Sequence, residues 1–298
     1  MNGVFRINAI KLWFVLLGLV ASSLVLGSNP LAAAEPTFTT IDFPGSTSTS
    51  AFDIDGDGDI VGLYTDGDNK THGFLLSDAQ FTPIDYPDAG VTRTRGINSR
   101  GDMVGEYVDA GGKTHGYLLR DNVFTPIDIP EARSTIAWGI NRRGVITGHY
   151  VDASGKERPF LLSNDGNFTT LDPPFNFTRS LTHGVNKRGD VVGCWFDEEG
   201  MMHSLLIRDG EYVTNDFPDS TMSMNWRINQ LGWVVGHYTD AESKTHGYLA
   251  KGSRRYTRID FPGAVLTQAL GINASRDVVG LYRGADNKTH GFLMSSSN

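Results

Sequence analysis

The chain has 298 residues, 39% hydrophobic and 20% charged, with 26 Lys and Arg against 34 Asp and Glu, for a formal charge of −8. That sign offers no bulk attraction to phosphate backbones or anionic lipid surfaces, so nucleic acid is excluded as the expected partner. Cys194 is the single cysteine, so no intrachain disulfide can form.

The chain opens with Arg6 and Lys11, an apolar run from Leu12 to Leu26, and Ala32-Ala33-Ala34 just before Glu35-Pro36. This order predicts a secretory signal peptide over residues 1–34, cut after Ala34. An apolar run of about fifteen residues is short for a bilayer span, so no stable membrane insertion is expected after cleavage. The mature chain, 35–298, loses Arg6 and Lys11 and carries a charge of about −10. A secreted or periplasmic monomer follows as the expectation.

From residue 38 onward one segment returns six times. Phe38-Thr-Thr-Ile-Asp-Phe-Pro is followed by versions whose aspartates are Asp85, Asp128, Asp172, Asp216 and Asp260, spaced from Asp42 by 43, 43, 44, 44 and 44 residues. A second marker, Val-Gly-Leu-Tyr ending at Tyr64, keeps the same beat at Tyr107, Tyr150, Trp195, Tyr238 and Tyr282. Such self-similarity is the signature of a repeat architecture. In the second copy, four short runs rich in β-branched and aromatic residues are predicted as strands: Thr94–Ile97, Asp102–Val108, Thr114–Leu119 and Phe124–Asp128. Turn compositions separate them, with Gly101 placed where a tight loop needs a positive φ.

Four strands in a unit of 43–45 residues match a blade of a β-propeller. The mature chain begins with the fourth strand of a unit and ends with the third, Thr289 to Met294. The expected fold is therefore all-β, a six-bladed propeller of four antiparallel strands per blade, closed by pairing the N-terminal strand with the C-terminal one.

The repeated wording Gly-Ile-Asn-x-x-Gly-x-Val-Val-Gly-x-Tyr, followed by His72-Gly73-Phe74 and its counterparts at His115, His246 and His290, resembles the probable extracellular HAF repeats of bacteria. The fourth unit reads His203-Ser204-Leu205, and the third departs from the pattern as Arg158-Pro159-Phe160. The resemblance implies an exported bacterial repeat protein and carries over no biochemical activity.

Five histidines at one repeat position do not make a metal site, because equivalent positions are spread around a ring and a first shell needs its ligands on one ion. Each His, with the Asn of its Gly-Ile-Asn turn, is expected to satisfy backbone groups within or between blades. The Asp-x-Pro aspartates read as turn formers ahead of a strand-ending proline. Asp55, Asp57 and Asp59 have the alternating acidic spacing of a calcium loop but lack its closing glutamate. Aligned with the other units they are a first copy of the Asn98-Ser-Arg-Gly turn, so no cofactor is expected, with calcium there as the alternative.

A binding site should lie where the repeats disagree. The position before the Gly-Ile-Asn glycine holds Phe52, Arg95, Trp138, His183, Trp226 and Leu270. The position before the repeated aromatic holds Leu63, Glu106, His149, Cys194, His237 and Leu281. Arg95, Trp138, His183, Trp226, Glu106, His149 and His237 are thus the candidate ligand-binding residues, able to stack on a ring and hydrogen-bond around it. The plainer alternative is that both columns vary because they are partly exposed. The functional expectation is an extracytoplasmic recognition or scaffold domain, with a carbohydrate or a surface protein as partner. A glycan-acting hydrolase or lyase is one alternative, with Glu106 and His149 or His237 as acid and base. A structural or protein-interaction module is the other.

Overall fold

In the computed structural model, residues 35–252 and 255–295 are described. The leader expected over residues 1–34 lies outside them.

Twenty-four strands form six four-stranded antiparallel sheets, and no helix occurs among the described residues. Five sheets are continuous in sequence: blade 1 over 48–84, blade 2 over 91–127, blade 3 over 134–170, blade 4 over 179–214 and blade 5 over 222–259. Blade 6 takes three strands from 266–295 and its outermost strand, Thr37–Ile41, from the N-terminus. That closing strand runs antiparallel to Thr289–Ser295, from Thr37 opposite Ser295 to Ile41 opposite Gly291. The propeller and its closure are therefore as the repeat phase predicts. One boundary differs, since the innermost strand of blade 2 begins at Val91, three residues before the apolar run. Val91 pairs with Val108 of the second strand, so cross-strand pairing extends the strand through Thr92 and Arg93.

The core lies between the sheets. Val61 of blade 1 packs with Ile97 and Tyr117 of blade 2, and Val104 of blade 2 packs with Ala137 and Phe160 of blade 3. The two inner strands of each blade are covered on both faces in this way, which is why they read as nearly continuous apolar runs, whereas outermost strands such as Gln80–Ile84 stay largely exposed. Gly101 has φ +77°, the left-handed value its turn requires.

Candidate functional site at the central channel

The innermost strand of every blade carries a β-bulge at one position. The ladder to the second strand skips between Ala51 and Asp53, Thr94 and Gly96, Ala137 and Gly139, Thr182 and Gly184, Asn225 and Arg227, and Ala269 and Gly271. The skipped residue in each case belongs to the first varied column. A bulge leaves one residue outside the ladder and re-aims its side chain. Here the six bulged residues converge.

They fill the channel with one another. Phe52, Trp138 and Leu270 form a buried cluster with Trp226 against it. The Trp138 and Trp226 rings lie 5.2 Å apart, His183 sits 4.4 Å from Trp226 and 5.0 Å from Trp138, and the Arg95 guanidinium lies 4.1 Å above Trp138 and 4.5 Å above Phe52. Attraction between a cation and the ring faces adds to the burial.

The second column supplies partners eleven residues on. Arg95 donates to both oxygens of Glu106, with Nη2 2.7 Å from Oε1 and Nε 3.0 Å from Oε2. The Trp138 indole N–H donates to His149 Nδ1 at 3.1 Å, and that of Trp226 to His237 Nδ1 at 2.9 Å. Where the first column is apolar, as at Phe52 and Leu270, its partners Leu63 and Leu281 are apolar too. Burial, with Arg95 and Arg179 adding repulsion, pushes His149 down to about 3, and burial alone pushes His237 down to about 4. Both imidazoles are neutral acceptors at neutral pH.

Most members of the two columns are buried, while Arg95, Trp226, Leu63 and Leu281 are half-buried, so exposure alone does not account for the variation. Glu106 is 1% exposed and His183 1%. They vary because six side chains meet near one axis, where identical large residues would collide, so the ring takes residues of complementary size and polarity. The seven candidate residues are brought together; six of them pair their polar groups with one another, and His183 turns its Nδ1 to the Asn225 carbonyl at 3.3 Å. Glu106, bound twice by Arg95, and two neutral histidines accepting from indoles do not form a free acid and base.

The residue after each bulge is glycine in four blades. A Cβ on Gly96, Gly139, Gly184 or Gly271 would lie 2.5–2.9 Å from the carbonyl oxygen of Trp138, His183, Trp226 or Phe52 in the next blade. Two blades break this rule, with Asp53 in blade 1 and Arg227 in blade 5. Arg227 reaches across the axis. Its Nη1 donates to the carbonyls of His183 and Trp226, and its Nη2 to those of Arg95 and Trp138. Its Nε lies 3.1 Å from Asp53 Oδ2 without being aimed along a hydrogen bond, so that contact is ionic. One guanidinium thus ties carbonyls of blades 2, 3, 4 and 5 to a carboxylate of blade 1. Asp53 also accepts the Ile54 and Ile97 N–H groups, and burial nevertheless raises its pKa against the pull of Arg227. The sequence signal for this pair was a charged residue in a glycine column.

Over the Asp53–Arg227 pair opens a cavity of about 360 Å³ at the channel mouth. The ends of the six innermost strands wall it, from Ile54 and Ile97 round to Ile272, and Arg142, Lys187 and Gln230 stand on its rim. A ladder of turn asparagines holds the rim: Asn98 donates to the Asn141 carbonyl, Asn141 to that of Asn186, Asn186 to that of Asn229, and Asn229 to that of Asn273. In blade 1, Asp55 replaces the asparagine and accepts the N–H groups of Asp57 and Asp59, as Asn98 accepts those of Arg100 and Asp102. Burial and the neighbouring Asp59 and Asp57 raise its pKa.

The asparagines act between blades as expected, whereas the histidines do not serve backbone groups. Each lies between two carboxylates of its own sheet. Nδ1 is 2.7–2.9 Å from the Asp-x-Pro aspartate and Nε2 2.9–3.4 Å from the first aspartate of the hairpin before it, as with His246 between Asp260 and Asp240. The Asp-x-Pro acids are thus clamp members as well as turn formers. An imidazolium, with two N–H donors, satisfies both. In blade 3, Arg158 bridges the equivalent Asp152 and Asp172. Among the described residues no His, Cys, Asp and Glu group has metal-binding geometry.

Neither a protein-family model nor a curated protein matches the chain. Solved structures match its fold. TolB from Acinetobacter baumannii is similar with a TM-score of 0.57 and 9% identity, over 82% of this chain and 65% of that one. A fucose-specific lectin from Aleuria aurantia has a TM-score of 0.53 and 10% identity, over 86% and 99%. Virginiamycin B lyase from Staphylococcus aureus has a TM-score of 0.50 and 10% identity, over 87% and 99%. A lectin and a lyase on one scaffold leave function to be argued from the site.

Proposed function

We propose that the chain is an exported recognition propeller that binds a carbohydrate or similar polar ring compound at the mouth of its central channel. The observation that carries this reading is the cavity over Asp53 and Arg227. Four blades manage this level with glycine, so a buried ion pair there is not required for packing, and such a pair contributes little to stability against an apolar alternative. It sits where a ligand would meet it, with apolar walls, a charged floor and the amide and amine groups of Gln230 and Lys187 above. That mixture suits a ligand with an apolar face and many hydroxyls. The lectin among the similar folds is compatible with this class of ligand, and the resemblance to HAF repeats supports export. Binding is favoured over hydrolysis or elimination because the channel's acid and imidazoles are engaged with Arg95 and the two indoles.

A glycan array probed with residues 35–298 tests the proposal, alongside Lys187→Ala, Trp138→Ala and Trp226→Ala. Retained glycans are expected, with affinity about tenfold weaker in Lys187→Ala, the loss of one charge-assisted hydrogen bond. Binding lost only in the tryptophan variants, with the fold intact, would move the ligand to the plug. No retained glycan would remove the carbohydrate reading.

A further inference from the structure

A third column in which the repeats disagree follows the turn asparagine, or Asp55 in blade 1. It reads Gly56, Ser99, Arg142, Lys187, Gln230 and Ala274 from blade 1 to blade 6. All six residues are exposed, and all six line the cavity at the channel mouth. They divide the rim in two. Gly56, Ser99 and Ala274 make a low sector over the adjoining blades 6, 1 and 2, and Arg142, Lys187 and Gln230 a tall one over blades 3, 4 and 5.

The tall sector offers donors. Among the described residues neither the Arg142 guanidinium nor the Lys187 ammonium has an ion pair or a hydrogen bond. Gln230 accepts the Lys187 backbone N–H with its side-chain oxygen at 2.9 Å, which leaves its NH2 as the free end. The arginines of the neighbouring positions differ in this respect, since Arg100 is held by Asp102 at 2.7 Å and Arg188 by Asp190 at 2.8 Å. In blade 3 Val145 stands where those aspartates stand, so the turn keeps its positive charge uncompensated. Across the ring, the blade 1 turn is acidic: Asp55 accepts the N–H groups of Asp57 and Asp59. The mouth thus has a basic side and an acidic side in a chain of net charge −8. The floor pair of Asp53 and Arg227 carries no net charge and does not select for one.

We infer, on the reading that this mouth binds a sugar, that its ligand is an acidic saccharide whose carboxylate is taken by Arg142 and Lys187. The planar guanidinium matches both oxygens of a carboxylate, and the ammonium adds a compact charge beside it. The sugar ring then lies toward the low sector, where no long side chain obstructs it and Ile54, Ile97 and Ile272 supply an apolar wall. Repulsion from the acidic turn keeps the carboxylate from the reverse orientation. A neutral sugar meets the same wall but leaves both cations in water.

The test is an array of carboxylated glycans, with uronate and sialate arms kept separate, printed beside the methyl ester of each and probed with residues 35–298. At least one acidic arm is expected to bind about tenfold or more tightly than its ester, with the preference shrinking as salt is raised. The preference should vanish in Arg142→Gln combined with Lys187→Gln, whose side chains are exposed and unpartnered. Arg143→Gln removes a like charge from the same turn outside the cavity lining and should keep most of the preference. Equal binding of acid and ester, or retention of neutral glycans alone, would overturn the inference and leave the sugar reading standing. An equal loss in Arg143→Gln would reduce the preference to bulk charge and overturn it as well. No retained glycan of any kind removes both.

Discussion

Arg227 concentrates more of the structure than any other side chain. Its five contacts lie in five blades, so truncation leaves Asp53 buried without its counter-charge and four axial carbonyls without a donor. Breaking a buried pair in this way costs about 3–5 kcal/mol, and Arg227→Ala is expected to lower the urea midpoint accordingly. Replacing both residues by the sister glycine, Asp53→Gly with Arg227→Gly, should recover much of that loss. If the double variant is no more stable than Arg227→Ala, the pair is holding the ring together rather than sitting in it. Three buried imidazoles of the plug, His149, His183 and His237, set a pH dependence of one sign, because burial lowers the pKa of each. The folded pKa values are about 3 for His149 and about 4 for His237, and that of His183 also lies well below the ordinary 6.5. The unfolded chain therefore takes up protons first as pH falls below 6.5, and stability declines from there until the folded pKa values are reached, by several kcal/mol as an order of magnitude. In His149→Gln combined with His237→Gln, where glutamine still accepts from the indoles, the part of the decline between pH 6.5 and 4 that these two histidines cause should disappear from urea titrations.

At the scale of the blade, the recurring device is a basic side chain held between two aspartates. The partial desolvation of Asp197 is outweighed by the Met201 N–H and His203, which keep it below the usual carboxylate range. His203 is raised above the ordinary imidazole value because Asp216 and Asp197 outweigh its burial. The signs are opposite and the window follows from them. Clamp stability is present above the ordinary aspartate pKa and is lost as pH falls through the depressed one. The His203 contribution is present below 6.5 and is lost as pH rises through its raised value. Exchange protection of the fourth-blade hairpin should therefore peak in mildly acidic solution, and a flat profile would contradict the clamp. Because Arg158 already performs the task in blade 3, Arg158→His should leave the urea midpoint nearly unchanged at pH 6, whereas Arg158→Ala should lower it. The sequence showed the histidine and aspartate columns but not their pairing. In blades 1, 2, 4 and 5 the two lie 13 or 14 residues apart, and antiparallel pairing of the third and outermost strands is what brings them opposite.

For the whole molecule, closure depends on five residues. Thr37–Ile41 supplies the outer edge of blade 6, and His290 of the last strand clamps Asp42 just beyond it, 248 residues away in sequence. Removing residues 35–46 would expose the long edge of Thr289–Ser295, and an unpaired flat edge is a template for association. Light scattering should then find dimers or larger species, in contrast to the monomer expected of the closed ring. His290→Ala is a milder lesion. Faster amide exchange confined to Thr37–Ile41 is its expected result, and unaltered exchange there would show that strand pairing alone suffices.

Repeat period, strand number and ring closure were legible in the amino-acid order, because each blade buries its faces only against identical neighbours and so must repeat its apolar pattern. The divergent columns were legible as well, down to Arg95, Trp138, His183 and Trp226. Their behaviour was not. Whether a varied residue lines a pocket or fills it depends on how many side chains reach the same axial space, and sequence spacing does not hold that quantity. The tertiary structure decided that six bulges aim at one axis, that the ring residues pair with partners eleven positions on, and that the open cavity lies beyond the plug.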